Sequence, residues 1–75
     1  MNAHDLKYGD LVRGTYWRST PTPKKSTWLG IITDRDGDWL EVTWQDNDID
    51  QYDIGDEYCL EEIEECWTLL SKCPG

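Results

Sequence analysis

The sequence predicts a small all-β domain, and three observations support this. An Asp-Gly turn at residues 36–37 separates two runs rich in β-branched and aromatic residues, 28–33 and 39–44. This arrangement is the strongest short-range signal for a β-hairpin. Pro21 and Pro23 exclude a helix around them. Five tryptophans and four tyrosines among 75 residues provide large side chains that fill a small core efficiently.

The first strand is predicted at residues 11–18, where β-branched and aromatic residues follow the turn signal Gly9-Asp10. Residues 19–27 are then predicted to form a polar loop. Such a loop is long for so small a domain, and long loops are often mobile or functional.

The second strand of the hairpin alternates along its length. One face carries Leu40, Val42 and Trp44, and the other carries Trp39, Glu41 and Thr43. Alternation of this kind predicts one buried and one solvated face, so Trp39 is the best candidate for an exposed aromatic residue. In the preceding strand, Gly30 indicates a bulge or a close approach of the backbone.

The segment after the hairpin is predicted to contain a highly acidic loop and a short returning strand. The acidic loop covers residues 45–51. The strand covers residues 52–58 and is interrupted at Gly55.

Two interpretations remain open for the C-terminal segment. Apolar residues recur at helical spacing from Cys59 to Cys73, which favours an amphipathic helix capped by Asp56. The alternative is one helical turn at residues 60–63, followed by a strand at residues 66–70.

Three segments together resemble an SH3-like small β-barrel: LKYGDLVR at residues 6–13, GIIT at 30–33 and LEVTW at 40–44. In this order they are similar to short proteins of tailed bacteriophages, especially marine ones, and loosely to KOW and Tudor-type barrels. In such proteins an Asp-Leu-Glu or Glu-Glu-Ile-Glu element usually forms one helical turn before the last strand, and residues 60–64 match it.

The resemblance implies a five-stranded barrel with a short helix near residues 60–66. It also implies a viral origin, with a location in the host cytoplasm or in the virion. The fifteen residues between Trp44 and Leu60 exceed the spacing usual in that group. A hairpin core with a C-terminal amphipathic helix, an α+β fold, is therefore the alternative.

A single domain is predicted over residues 1–75, because a chain of this length supports one small core. Residues 1–5 are expected to be a loose N-terminus, and residues 72–75 a tail. No apolar run approaches the length of a membrane span.

Charge is unevenly distributed along the chain, whose 16 acidic and 7 basic residues give a formal net charge of −9. Residues 1–33 carry five basic and two acidic residues, whereas residues 34–75 carry two basic and fourteen acidic ones. The net charge argues against nucleic acid or an anionic membrane as the main partner. The asymmetry predicts either an interaction surface or mutual neutralisation of neighbouring strands.

The sequence offers no catalytic constellation. The only histidine, His4, lies in the predicted loose N-terminus, so no nucleophile has an evident general base. Cys59, Cys66 and Cys73 are odd in number and widely spaced, which is untypical of disulfide scaffolds and metal sites. We interpret them as buried or incidental thiols, and we expect neither an enzyme nor a bound cofactor.

One weak metal signal is present. Asp46, Asp48, Asp50 and Glu57 occupy positions 1, 3, 5 and 12 of an EF-hand-like loop. Position 6 is Gln51, where that loop needs glycine for its sharp turn. A solvated acidic loop is the favoured interpretation, and weak binding of a divalent cation such as calcium is the alternative.

The aromatic residues outnumber those that the core needs, which predicts an aromatic groove. SH3-like domains bind peptides in such grooves, and Tudor-type domains enclose methylated cations. The residues predicted to contact a partner are Trp17, Trp28, Trp39 and Tyr52 through their rings, and Asp46, Asp48, Asp50 and Asp53 through their charges. Acidic residues beside such a groove favour a protein partner with a basic surface or segment.

These observations predict a non-catalytic protein-interaction module, with two alternatives. Residues 46–65 contain ten of the sixteen acidic residues, so the protein is alternatively an acidic mimic that inhibits a host polymerase or nuclease. A structural or adaptor protein of the virion is the other alternative. An acidic mimic loses its partner steeply as salt rises, whereas a groove anchored by rings does not.

Overall fold

The computed structural model describes residues 2–18 and 24–72, apart from the side chains of residues 17, 18, 24 and 25. The elements are a 3-10 helix (Ala3–Asp5), β1 (Leu11–Arg18), β2 (Lys24–Asp36), β3 (Trp39–Trp44), β4 (Ile49–Asp53), α1 (Glu57–Cys66) and β5 (Trp67–Ser71). The strands form one antiparallel sheet in the order β4-β3-β2-β1-β5. The predicted mostly-β fold with five strands and one helix is confirmed.

The central hairpin of β2 and β3 forms as predicted. Its turn contains Gly37, whose φ of +58° lies in the left-handed region that glycine adopts without strain. The alternation along β3 is also confirmed, because Leu40, Val42 and Trp44 are buried while Trp39 is 43% exposed. We call the side of the sheet that carries Leu40, Val42 and Trp44 the inner face, and the opposite side the outer face.

Gly30 marks a close approach, as predicted, although the approaching group is a side chain. A Cβ on Gly30 would lie 2.7 Å from Cε3 of Trp44 and 2.8 Å from Cγ2 of Val42. A Cβ on Gly14 of β1 would lie 2.9 Å from Cη2 of Trp44. The two glycines therefore make room on the inner face for one indole ring. The bulge between β2 and β3 lies further on, between Ile32 and Asp34.

The predicted position of the fourth strand is wrong. The sequence predicts this strand at residues 52–58, but β4 covers Ile49–Asp53. The predicted acidic loop at residues 45–51 is therefore only a tight turn before β4. Asn47 adopts a φ of +68° there, and the backbone N–H of Trp44 donates to the carbonyl oxygen of Asp48 at 2.8 Å. Most of β4 is exposed, so its sequence carries no apolar alternation that would indicate a strand.

The C-terminal segment combines a helix and a strand, so a continuous helix as far as Cys73 is wrong. The predicted cap is confirmed, because an Asp56 carboxylate oxygen accepts from the backbone N–H of Tyr58 at 2.9 Å. Helix α1 begins three residues before the predicted range and ends at Cys66. Beyond it, Trp67 pairs with Gly14 as the first residue of β5. Pairing with β1 and burial of the indole outweigh the helical spacing.

The N-terminal residues pack against the domain. The predicted loose segment instead forms the 3-10 helix, in which Asn2 caps the backbone N–H of His4 and Ala3 is fully buried. Strand β2 begins at Lys24, so part of the predicted loop at residues 19–27 is strand. Residues 19–23, and 73–75 of the predicted tail, lie outside the described residues. No described helix is both long and apolar enough to cross a bilayer.

The core lies between the inner face of the sheet and α1. Its larger members are Leu6, Val12, Ile32, Leu40, Val42, Trp44, Ile54, Ile63 and Trp67. At its centre, Trp67 meets the rings of Trp44 and Tyr52 edge to face, with centroid separations of 5.3 Å in both pairs. Edge-to-face packing is a favoured geometry for aromatic pairs, and here it links β3, β4 and β5.

Candidate binding cleft

A cleft of about 390 Å³ opens beside Trp44 on the inner face. The residues that line it are four aromatic ones, Tyr16, Trp28, Trp44 and Tyr52, and four acidic ones, Asp46, Asp48, Asp50 and Glu62. Neither lysine nor arginine is among the described residues that line it. The lining therefore combines ring surfaces with negative charge.

Strand alternation positions the aromatic walls. Tyr16 follows Gly14 by two residues on β1, and Trp28 precedes Gly30 by two residues on β2. Side chains at such spacing point to the same side of a sheet, so both rings lie on the inner face beside Trp44. The small residues at positions 14 and 30 leave the space that the Trp44 ring occupies.

Hydrogen bonds fix the polar groups of these rings. The indole N–H of Trp67 donates to the hydroxyl oxygen of Tyr16, and the hydroxyl groups of Tyr16 and Tyr52 hydrogen-bond each other. On the acidic side, the indole N–H of Trp44 donates to Oδ2 of Asp50 at 2.8 Å. Because these bonds connect side chains from four strands, the cleft walls are held in place before any ligand arrives.

The two tyrosine hydroxyls are stabilised in their neutral form. Burial raises the pKa of Tyr52 above its usual value. Negative charge on the neighbouring Tyr16, Glu62 and Asp50 side chains raises the pKa of Tyr52 further. Burial likewise raises the pKa of Tyr16, with a smaller contribution from Glu62, although the hydrogen bond from Trp67 opposes the shift. Both groups therefore keep their protons where an ordinary tyrosine ionises.

We expect alkaline pH to destabilise the protein through these hydroxyls. Their pKa values are raised on folding, so their contribution to stability is complete below pH 10, the ordinary tyrosine value. It is lost as the pH rises through their folded-state values. Urea denaturation at pH 8 and about pH 11 should show a smaller loss of stability for Tyr52→Phe than for the wild type.

Tyr58→Phe is the matched control, because Tyr58 is 84% exposed on α1. It should retain the full pH dependence of the wild type. At pH 8 Tyr52→Phe should cost only about 1 kcal/mol, for the lost hydrogen bond. An alkaline loss of equal size in Tyr52→Phe and wild type would contradict this account.

The acidic rim is a set of mutually repelling carboxylates. Asp48 is exposed, and its pKa is raised chiefly by the negative charge of Asp46, with a smaller contribution from Asp50. The turn holds these groups together, because the backbone N–H of Asp48 donates to Oδ1 of Asp46 at 3.1 Å. A cation placed in the cleft relieves this repulsion.

Five of the eight residues predicted to contact a partner meet at this cleft: Trp28, Tyr52, Asp46, Asp48 and Asp50. Trp39 and Asp53 do not line it. They pair with each other in the β3–β4 register at the end of β3 away from Trp44. The side chain of Trp17 lies outside the described residues.

Three cleft residues were not among the predicted contacts. Tyr16 had a usable signal, since it shares its alternation with Val12 and Gly14 on β1. For Trp44 the alternation of β3 predicts only burial, whereas the ring both packs in the core and lines the cleft. Glu62 reaches the site from α1, and only the packing of the helix brings it there.

The EF-hand-like spacing does not correspond to a loop. The segment from Asp46 to Glu57 contains a turn, the whole of β4 and the first residue of α1. Among residues 2–18 and 24–72, no group of three histidine, cysteine, aspartate or glutamate residues is placed to hold a metal ion.

The two described thiols, Cys59 and Cys66, are free and half-buried. Burial raises the pKa of the Cys66 thiol, and Glu62 and Glu65 raise it further. Such a thiol is a poor nucleophile, because the thiolate is the reactive form. Cys73 lies outside the described residues.

No protein-family model, curated protein or solved structure matches this chain. Inferences about its function therefore rest on the residues of the cleft and on their geometry.

Proposed function

We propose that this chain is a non-catalytic protein-interaction module whose cleft receives a basic segment of a partner protein. The observation that carries the proposal is the lining of the cleft, which among the described residues consists of four aromatic rings and four carboxylates, without a lysine or arginine. The rings supply contact area and attract cations through their faces. The carboxylates supply the complementary charge.

Arginine and lysine side chains suit both halves of this lining. Their apolar stems pack on ring surfaces while their charged ends remain near water. The carboxylates of Asp46, Asp48 and Asp50 are available at the rim to such a charged end. Cation–π attraction adds roughly 0.5–2 kcal/mol for a well-placed ring, depending on how far the cation is desolvated.

We further propose that the sheet curves into an SH3-like barrel. Strands β4 and β5 are the two edges of the sheet, and yet the rings of Tyr52 and Trp67, one from each edge, pack with centroids 5.3 Å apart. Curvature of this degree supports the barrel. The position of α1 immediately before the last strand is similar to that in the phage proteins that the sequence resembles. A role as a phage accessory protein, in the host cytoplasm or in the virion, follows from that resemblance.

The test is the binding of a short fluorescent peptide rich in lysine and arginine, measured by anisotropy. The double variant Asp46→Asn/Asp48→Asn should weaken binding about tenfold, since it removes two of the carboxylates that attract the basic peptide. The control, Asp34→Asn/Asp36→Asn, makes the same change of charge in the β2–β3 hairpin, outside the cleft lining. It should change the affinity less than twofold. Equal weakening by both variants would show that net charge, and not the cleft, attracts the peptide.

The exposed acidic side of α1 favours a second candidate, the acidic mimic. Glu61, Glu62, Glu64 and Glu65 are all exposed along this helix. A mimic binds basic clefts through charge alone, so its affinity falls steeply with salt and is unaffected when Trp28 is replaced. The module that we propose loses affinity for the basic peptide in Trp28→Ala and keeps part of it at high salt.

A further inference from the structure

The outer face of the sheet carries an apolar patch that the cleft does not use. In the strand register Leu11 lies beside Ile31, Ile31 beside Thr43, and Thr43 beside Ile49. Leu29 lies two residues before Ile31 and therefore on the same, outer side of β2. We call these five residues the outer patch. Ile49 is 58% exposed and Ile31 49%, so the patch is largely open to solvent.

The outer patch is uncharged in a highly charged protein. It borders a groove of about 340 Å³, and the described residues that line this groove are all uncharged. Charged residues make up 31% of the sequence. Contiguous exposed apolar surface on a small protein commonly marks an interaction site.

We propose that the outer patch is the interface of a symmetric dimer, in which a second copy of this chain packs its own outer face against the first. A two-fold interface requires a surface that is complementary to itself. The flanks of the outer patch meet this requirement, because they carry opposite charges.

On one flank, exposed Arg13 lies beside Leu29 in the β1–β2 register. On the other flank, Glu41 lies two residues before Thr43 on the outer face of β3 and accepts a hydrogen bond from Thr33 at 2.8 Å. A two-fold rotation about the middle of the patch can set the Arg13 flank of each copy against the Glu41 flank of the other. Beyond the Glu41 flank the strand ends add negative charge, because Asp34 lies beside Glu41, and Asp36 and Asp53 lie beside Trp39.

The placement of the other charges reduces repulsion between two chains of net charge −9. Asp46, Asp48, Asp50 and Glu62 line the cleft on the inner face, on the opposite side of the sheet from the outer patch. Charges separated by more than a Debye length, about 8 Å at physiological salt, are largely screened. A dimer formed through the outer faces also leaves both clefts open.

Analytical ultracentrifugation of the full chain over micromolar to millimolar concentration tests the proposal. The wild type should sediment as a monomer–dimer equilibrium, and Ile31→Glu should weaken dimerisation at least tenfold, because it sets an unpaired charge in the centre of the interface. Tyr58→Glu is the matched control, since it adds the same charge at an exposed position on α1. It should dimerise as the wild type does.

Leu29→Lys is a second interface variant in case Ile31→Glu fails to fold, and circular dichroism monitors folding in each protein. A wild type that stays monomeric at all concentrations would overturn the proposal. So would equal weakening by Ile31→Glu and Tyr58→Glu, or a complex with some other stoichiometry. The proposal is independent of peptide binding at the cleft, which anisotropy measures separately.

Discussion

Replacing Trp67 with alanine is expected to lower the free energy of unfolding by about 3–5 kcal/mol. The indole is 3% exposed and packs edge to face against the rings of Trp44 and Tyr52. Its N–H also donates to the hydroxyl of Tyr16. Since a domain of 75 residues is stable by only about 4–11 kcal/mol, the variant should lose a large share of its stability and unfold at a much lower urea concentration than the wild type.

Urea denaturation followed by circular dichroism measures this effect, and Trp39→Ala is the matched control. Trp39 is 43% exposed at the end of β3, so its loss should cost less than about 1 kcal/mol. Trp67→Phe should lie between the two, because it keeps a ring but loses the hydrogen bond to Tyr16. A loss of less than about 1 kcal/mol of unfolding free energy in Trp67→Ala would mean that the indole is not an important part of the core packing.

Gly30→Ala is expected to cost about 1–3 kcal/mol, although the change adds only one methyl group. That methyl would lie 2.7 Å from Cε3 of Trp44 and 2.8 Å from Cγ2 of Val42, and both of these side chains are buried. Because both side chains are packed in the core, relief of this overlap requires a shift of the β2 backbone or of the indole ring. Gly30→Val should cost more, since it adds two further carbon atoms at the same place.

Gly55→Ala makes the same change where the neighbours can yield, and it should alter stability by less than about 0.5 kcal/mol. A Cβ there meets the ends of the Asp38 and Asp53 side chains, both of which are exposed. A double-mutant cycle of Gly30→Ala with Trp44→Phe isolates the steric conflict. The alanine should cost less beside the smaller ring, and full additivity of the two changes would argue against a clash with Trp44.

The sequence was informative where local chemistry decides the structure. The Asp-Gly turn and the alternation of β3 predicted the hairpin and the exposure of Trp39, because both depend on neighbouring residues. Gly30 predicted a close approach for the same reason. The position of β4 was missed, since an exposed edge strand needs no apolar pattern and its acidic residues resemble those of a loop.

The boundary between α1 and β5 could not be read from local pattern. Ile63, Cys66 and Leu70 suit a helical stripe, and residues 66–70 suit a strand equally well. The helix ends and the strand begins where Trp67 pairs with Gly14, a residue that is far from Trp67 in the sequence. The cleft was predicted in part for a similar reason, since Glu62 enters it only when α1 packs across the sheet.

The pairing of the first strand with the last has a consequence for how the protein forms during synthesis. Leu11 pairs with Ser71, and Trp67 completes the packing around Trp44 and Tyr52. The ribosome must therefore release almost the whole domain before the sheet gains its last edge and the core its central ring. Contacts between such distant residues also slow folding. Nascent chains that lack β5 expose Trp44 and Tyr52 and are the stage most open to chaperones and proteases.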